Sequence, residues 1–240
     1  MSHDVRRNNI GLPVEQGLYD PANEHDACGF GFIANIHNEP KHEIVHQALE
    51  IVHNLDHRGA IGADPLAGDG AGILIQIPDE FMRKDFASRG ITLPPVGDYA
   101  VGMVFLPNDP TKCDLAAGAI EKAIDQEGQV LIGWRDVPVD NSVLGESVKD
   151  NEPIIRQVLI QRGPETPDTD AFQRKLYVIR KQAHHALWDK NATAWRDFYV
   201  VSMSARTMVY KGMVLAPNLA KFYLDFQNSE FKTAIALFHQ

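Results

Sequence analysis

The stretch that decides the fold runs from residue 28 to residue 36 and reads Cys28-Gly29-Phe30-Gly31-Phe32-Ile33-Ala34-Asn35-Ile36. Its residues alternate, so that Cys28, Phe30 and Phe32 share one face while the two glycines occupy the other. Glycines on one face of a strand allow another part of the protein to approach its backbone closely. The pattern therefore predicts a β-strand with a tightly packed glycine face.

The 27 residues before this strand carry little hydrophobic periodicity and read as an extended leader. The chain start leads into no apolar segment of the kind found in export signals. The longest apolar runs, such as residues 235–238, are far shorter than the roughly 20 residues of a membrane helix. Two cysteines, Cys28 and Cys113, cannot build a disulfide framework. We therefore expect a cytoplasmic protein without a membrane partner.

Composition indicates a globular chain, because 44% of the 240 residues are hydrophobic and 23% are charged. With 32 acidic and 23 basic residues the net charge is −9, which argues against nucleic acid as a partner. Strand and helix patterns are mixed, and no linker divides the chain. These features predict a single α/β or α+β domain.

The remaining periodicities predict regular elements along most of the chain. Ile44, Ala48, Val52 and Leu55 recur at helical spacing between residues 41 and 57. Asp109 and Pro110 mark the N-cap and first position of a later helix, which extends to residue 127. Further helices are predicted at 79–88, 172–188 and 219–226, and further strands at 73–77, 99–106, 129–137, 153–161, 198–204, 207–210 and 233–238, with a hairpin turn at residues 205 and 206.

One short motif matches a metal site. The stretch from His42 to His46, with Glu43 between them, has the spacing in which two histidines bind zinc and a glutamate activates water. The longer metalloprotease pattern requires glycine and histidine where Leu49 and Val52 stand, and it supplies no third ligand. We interpret the histidines as a solvated helix face. A zinc hydrolase that uses His42, Glu43 and His46 remains the lesser alternative.

Two other motifs have structural interpretations. The glycines of residues 68–72 lead into a strand, whereas a phosphate-binding loop opens a helix, so they predict a turn with close backbone packing. Cys113 has no cysteine or histidine at ligand spacing and is interpreted as a packing residue.

Cys28 permits two interpretations. It is either a buried strand cysteine or, if the bond after Ala27 is cut, an N-terminal residue with a free α-amine. The pKa of such an amine is about 8, so it is partly neutral at physiological pH and can act as the general base for its own thiol.

The sequence resembles the class II glutamine amidotransferase domain at the start of the large subunit of glutamate synthase. The resemblance covers nearly the whole chain and is carried, in order, by motifs at residues 18–21, 26–32, 57–60, 68–72, 99–103, 133–138, 197–202, 210–212 and 237–240. It implies an α+β N-terminal-nucleophile hydrolase fold, a four-layer α/β/β/α sandwich that is incomplete at its C-terminal end. By the same resemblance residues 1–27 are a propeptide and residues 28–240 a partial amidotransferase domain, with Cys28 as nucleophile and Arg58 as a substrate-binding residue.

The resemblance also implies the chemistry. The Cys28 thiolate attacks the side-chain amide of glutamine, releases ammonia, and leaves a thioester that water hydrolyses to glutamate. In the complete synthase the ammonia reaches 2-oxoglutarate at a distant site. The implied FMN and iron–sulfur cluster belong to domains absent from this chain, which itself carries no cofactor. The implied partners are glutamine, the remaining synthase domains and a small reductase subunit, whereas the electron donor, NADPH, NADH or ferredoxin, is decided outside this chain.

The family continues beyond Gln240 with an Arg-Phe-Ser-Thr motif and later an Asn-Gly-Glu motif that supply the substrate-carboxylate arginine and the oxyanion hole. We therefore expect this chain to be a fragment that is inactive alone. We also expect the last strand, residues 233–238, to expose an unpaired apolar edge that recruits other chains. A non-catalytic remnant that acts as an interaction module remains an alternative.

Overall fold

A computed structural model describes residues 14–20, 29–56, 64, 66, 68 and 70–240. Cys28 and Arg58, the two site residues predicted from the sequence, lie outside the described residues. The strands are β1 (Phe30–Ala34), β2 (Ala71–Gln76), β3 (Tyr99–Leu106), β4 (Val130–Asp136), β5 (Ile154–Gln161), β6 (Tyr199–Ser204), β7 (Thr207–Gly212) and β8 (Ile235–His239). The α-helices are α1 (His42–Asn54), α2 (Asp79–Ala87), α3 (Pro110–Gln126), α4 (Glu146–Lys149), α5 (Thr169–Asn191) and α6 (Ala216–Phe222).

The eight strands of the described residues form two antiparallel sheets of four strands each. The first sheet has the order β1-β8-β2-β7, and the second has the order β4-β5-β3-β6. Helices separate most consecutive strands along the chain, with only β6 and β7 following one another directly, yet every strand pair among the described residues is antiparallel. The α+β class with two antiparallel sheets is confirmed.

The two strands expected to form a hairpin belong to different sheets. Both form close to their predicted positions, but β6 pairs with β3 in the second sheet and β7 pairs with β2 in the first. Instead of a ladder between them, the Val209 N–H donates to the Ser202 hydroxyl at 3.1 Å. The turn at residues 205 and 206 therefore carries the chain from one sheet to the other. The hairpin prediction is wrong because β7 finds its register on the buried Ile73 and Ile75 positions of β2.

The last strand is not at an edge. β8 lies between β1 and β2 and pairs with both, from Ala34 opposite Ile235 on one side and from Ile75 opposite Ala236 on the other. Its backbone groups are thus satisfied on both edges, and β1 and β7 are the edge strands of this sheet. The expectation of an unpaired edge at residues 233–238 is therefore wrong.

The buried hydrophobic residues of the described chain form two cores. One core combines the buried face of the first sheet, helices α1, α2 and α6, and one face of the second sheet; it includes Ile44, Val52, Ile73, Phe86, Val101, Leu159, Leu219 and Phe238. The other packs the opposite face of the second sheet against α3 and α5, through Val104, Ile120, Val158, Leu176 and Ile179. Cys113 is buried in this second core, as its interpretation as a packing residue requires.

Helix starts follow their capping residues. The Asp109 side chain accepts the Lys112 N–H at 2.9 Å and Pro110 opens α3, as predicted. The Asp168 side chain likewise accepts the Ala171 N–H at 2.7 Å, so α5 begins at Thr169, three residues before its predicted start at residue 172. No helix in the described ranges combines the length and apolarity needed to cross a bilayer.

Candidate active site

Gly29, the residue that follows Cys28, is held in place by backbone hydrogen bonds and close packing. Gly29 and Gln240 exchange two backbone hydrogen bonds, of 2.8 and 2.7 Å, which close the β1–β8 ladder. A Cβ atom on Gly29 would lie 3.1 Å from Cδ1 of Leu55, the residue after the last turn of α1. A Cβ atom on Gly31 would lie 2.8 Å from the buried ring of Phe238. The predicted tight packing of the glycine face is thus confirmed, with α1 and β8 as the close neighbours.

The opposite face of the first sheet points outward and is largely apolar. Phe30 is 77% exposed, Phe32 69% and Leu237 45%. At the end of the sheet near Gly29, four residues form one row across the strands, because Phe30 pairs with His239, His239 with Gly72, and Gly72 with Lys211. This row, Phe30-His239-Gly72-Lys211, is called the terminal row below.

A cavity of about 580 Å³ lies over three residues of the terminal row, Gly72, Lys211 and His239. Gly72 forms part of its floor, and a Cβ atom there would approach Cβ of Lys211 to 2.9 Å. The rest of its described lining comes from several elements: Gly70, Ala71, Ile73, Leu74, Phe105, Tyr199, Val209, Gly212, Met213 and Leu237. Glycine therefore allows β2 and β7 to pack closely here, and no side chain from position 72 enters the cavity lined by His239 and Lys211.

The electrostatics of this cavity are positive. The Lys211 ammonium lies 4.5 Å from the centre of the Tyr199 ring, which is close enough for a cation–π contact, and the Tyr199 and Phe105 rings lie 6.4 Å apart. Lys211 and the exposed His239 are the basic side chains of the described lining, which contains no aspartate or glutamate. Such a concave site, with apolar walls and a few polar groups, suits a small anionic or zwitterionic ligand.

Sequence motifs that are far apart in the chain meet at this cavity. Residues 70–72, Tyr199, the Lys211-Gly212 pair and His239 each come from a different one of the motifs that carried the resemblance. Gly70 has a φ of +118°, and a Cβ atom there would lie 3.0 Å from the Gly212 carbonyl oxygen. Only glycine suits this turn, which confirms the backbone-packing interpretation of residues 68–72.

The motif at residues 133–138 does not line this cavity. Its Arg135 forms a buried ion pair with Asp225. The guanidinium of Arg135 donates to both carboxylate oxygens of Asp225, at 2.8 and 2.6 Å, and both side chains are buried. The hydroxyl of Tyr210 donates to Asp225 at 2.7 Å and accepts from Gln157 at 2.9 Å. Burial, together with the Asp225 carboxylate, raises the pKa of Tyr210 well above its ordinary value. Sequence reasoning missed this network, because Arg135 and Asp225 are 90 residues apart.

The zinc motif does not form a hydrolytic centre in the described part of the chain. No group of three or more histidine, cysteine, aspartate or glutamate side chains there could hold a metal ion. Glu43 is exposed and accepts a hydrogen bond from Gln47 at 3.0 Å. Its carboxylate is thus engaged along the helix and is absent from the groove that His42 and His46 line.

Comparison with known proteins identifies a family and several relatives of this chain. The family described as "Glutamine amidotransferases class-II" matches residues 28–240. The glutamate synthase [NADPH] large chain of Bacillus subtilis is 44% identical over 228 residues, which is 95% of this chain and 15% of that protein. Glutamate synthase [NADH] of Schizosaccharomyces pombe is 40% identical, over 95% of this chain and 11% of that protein. Ferredoxin-dependent glutamate synthase 2 of Synechocystis is 41% identical, over 90% of this chain and 13% of that protein.

These similarities cover only part of the relatives. The chain spans 11 to 15% of the length of the three proteins. Their names specify three different electron donors, yet their identities to this chain differ by only a few per cent. The matched region therefore does not distinguish the donors.

Proposed function

This chain belongs to the class II glutamine amidotransferases, and from that premise we propose that it hydrolyses glutamine to glutamate and ammonia with Cys28 as nucleophile. The observation that carries the proposal is the convergence of four separate motifs on one cavity, which is lined by His239; the next residue, Gln240, pairs with Gly29, the residue next to Cys28. The alternation of β1 supports it further, since it would place Cys28 on the outward face, with Phe30 and Phe32.

In the proposed reaction the leader, residues 1–27, is removed, so that Cys28 carries a free α-amine. The amine takes the thiol proton as Sγ bonds to the side-chain carbonyl carbon of glutamine. The carbon–nitrogen bond then breaks, and the proton passes to the departing nitrogen, which leaves as ammonia. Water, deprotonated by the same amine, attacks the thioester and releases glutamate. Residues 28–240, the range of the family match, would form the amidotransferase part.

The cavity over the terminal row gives the substrate a place beside this nucleophile. Glutamine is a zwitterion with an α-carboxylate, and the ammonium group of Lys211 favours binding of an anionic group nearby. The imidazole of His239 lines the same cavity and can hydrogen-bond a polar ligand.

Arg58 is proposed as a second substrate contact. Leu55 packs beneath Gly29, and three residues can extend by at most about 10 Å. Arg58 follows Leu55 by only three residues in the sequence, and we propose that its guanidinium lies beside the substrate. A guanidinium there could bind a carboxylate through two parallel hydrogen bonds.

The four-layer sandwich is proposed for the complete domain. Support comes from the core that draws buried side chains from one face of each sheet, among them Ile73 and Met208 of the first sheet and Val101 and Leu159 of the second. The hydrogen bond from Gln157 on β5 to Tyr210 on β7 joins the two sheets directly.

At the level of the whole protein, we propose the amidotransferase part of a cytoplasmic glutamate synthase, which passes ammonia to 2-oxoglutarate in another domain. Iron–sulfur clusters are typically held by several cysteine thiolates, whereas this chain has two cysteines, one of them buried in a core. The cluster, and with it the FMN chemistry, is therefore assigned to the other synthase domains, which are the proposed partners together with a reductase subunit.

The test uses the full-length protein with Cys28→Ala. Glutamine-dependent glutamate synthesis should fall to background, while synthesis from added ammonium salt should persist, because Cys28 generates ammonia and takes no part in consuming it. Cys113→Ala is the matched control and should retain both activities, since Cys113 is buried away from the cavity. Equal loss of both activities in Cys28→Ala would contradict the proposal.

A further inference from the structure

A second concave surface lies between α1 and α6, away from the cavity over the terminal row. It is a groove of about 670 Å³, and one wall is the polar side of α1 with His42, His46, Glu50 and His53. The other wall is mostly apolar and contains Ala216, Pro217, Ala220 and Phe226. Glutamine hydrolysis as proposed uses none of these residues.

His42 and His46 are neighbours in this groove. Residues four apart on a helix have Cβ atoms about 6 Å apart, and their side chains lie on one face. Both side chains line the groove, so both imidazoles face the same space. Two imidazoles with this spacing can bind one metal ion together.

The hydrogen bonding of His42 prepares it as a ligand. Its Nδ1 atom lies 2.9 Å from the carbonyl oxygen of Phe231. Because a carbonyl oxygen can only accept, Nδ1 carries the proton and Nε2 keeps a free lone pair. Metal-binding histidines commonly donate their second ring nitrogen to a carbonyl or carboxylate in this way, which fixes the ring and its tautomer.

We propose that His42 and His46 bind one divalent first-row transition metal ion, such as Cu²⁺, Ni²⁺ or Zn²⁺, with water completing its coordination. Imidazole nitrogens suit these ions, and copper should bind most tightly by the usual order of stability. Glu50, one turn beyond His46, adds a negative charge to the groove wall and favours a cation. Glu43 is engaged with Gln47, so the site binds metal without activating water.

The experiment is a calorimetric titration with nickel chloride of the full-length protein, from which loosely bound metal has been removed on a chelating resin while its own cluster is retained. The wild-type protein should show a binding event that His42→Gln and His46→Gln each weaken at least about tenfold, since even indirect partners of a metal contribute that much. His53→Gln is the matched control and should titrate like wild type, because His53 lines the same groove but lies two turns from His46.

A second readout separates ligation from a structural effect. Electron paramagnetic resonance of added Cu²⁺, taken as the difference between wild type and variant, should show coupling to two imidazole nitrogens that disappears in His46→Gln. The glutaminase activity of all three variants should equal that of wild type, which shows that the proteins are folded. The proposal would be overturned if both His42→Gln and His46→Gln bound nickel as tightly as the wild-type protein. It would also be overturned if His53→Gln weakened nickel binding as much as they do.

Discussion

At the scale of single residues, the space available for a Cβ atom determines whether a glycine can be replaced by alanine. A Cβ atom on Gly31 would lie 2.8 Å from the Phe238 ring, and that ring is buried and cannot move aside freely. Gly118, in the middle of α3, has no other atom within 4 Å of the same position. The two positions therefore respond to alanine in opposite directions.

We expect Gly31→Ala to lower the free energy of unfolding by about 1–3 kcal/mol through overpacking. Gly118→Ala should raise it by about 0.5–1 kcal/mol, because alanine loses less conformational entropy in a helix. Urea unfolding of the 240-residue chain at low concentration, followed by tryptophan fluorescence, measures both. Equal effects of the two substitutions would contradict the packing described for β1.

The buried ion pair between Arg135 and Asp225 predicts a large loss of stability when one charge is removed. The two side chains are only 4% and 2% exposed, and without the Asp225 charge the buried Arg135 guanidinium would keep only Asp85, 3.2 Å from its Nε atom, as a charged partner. Asp225→Asn should therefore lower the free energy of unfolding by about 3–5 kcal/mol. Asp170→Asn breaks the exposed pair with Arg206 and should cost less than about 1 kcal/mol. The same unfolding assay compares them, and similar costs would show that the buried pair has no special weight.

At the scale of elements, local sequence patterns were sufficient to predict where helices and strands lie in the chain. They were not sufficient to predict which strands pair with each other. The predicted strand at 99–106 coincides with β3, and the predicted helices at 79–88 and 110–127 match α2 and α3 to within a residue. Hydrophobic period and capping residues determine such segments locally. By contrast, the sheet to which β6 or β7 belongs depends on partners distant in sequence, and a two-residue turn alone suggested a hairpin.

The candidate site was predictable to a similar extent. The resemblance identified the motifs that meet at the cavity, but no local signal indicates that Gly72 lies between His239 and Lys211 in one row. The Asp168 cap that starts α5 early was readable in the sequence and was overlooked. The Arg135–Asp225 pair could not have been found by spacing, since it exists only after folding.

At the element scale, the exposed apolar face of the first sheet predicts how the isolated chain associates. β8 is paired on both sides, so any association of the isolated chain should occur through the exposed face of Phe30, Phe32 and Leu237 and not through the edge of β8. The 240-residue chain should self-associate in sedimentation velocity, and Phe30→Ser with Phe32→Ser should shift it toward monomer.

Val96→Ser is the matched control for that experiment. Val96 is 70% exposed but lies outside the first sheet, so its replacement should leave association unchanged. A wild-type chain that remains monomeric, or equal effects of both variants, would show that this face does not drive association.

At the scale of the whole molecule, buried phenols predict how stability depends on alkaline pH. Burial raises the pKa of Tyr99, Tyr210 and Tyr223 above the ordinary value of about 10. Above about pH 10 the unfolded state therefore holds fewer protons than the folded state, so stability is retained below that pH and falls as pH rises. Tyrosinate absorbance should show these phenols ionising only as near-ultraviolet circular dichroism is lost, and Tyr210→Phe should reduce that late amplitude. Ionisation of all six tyrosines in a native-like chain would contradict this.

Glutamine hydrolysis as proposed depends on Cys28, which acts as the nucleophile with its own α-amine as the base. The most direct measurement is to react the full-length protein with a diazoketone analogue of glutamine and to locate the adduct by peptide mass spectrometry. We expect loss of glutaminase activity together with a label on Cys28, in a peptide whose first residue is Cys28. A label on Cys113, or an active enzyme that still carries the leader before Cys28, would contradict it.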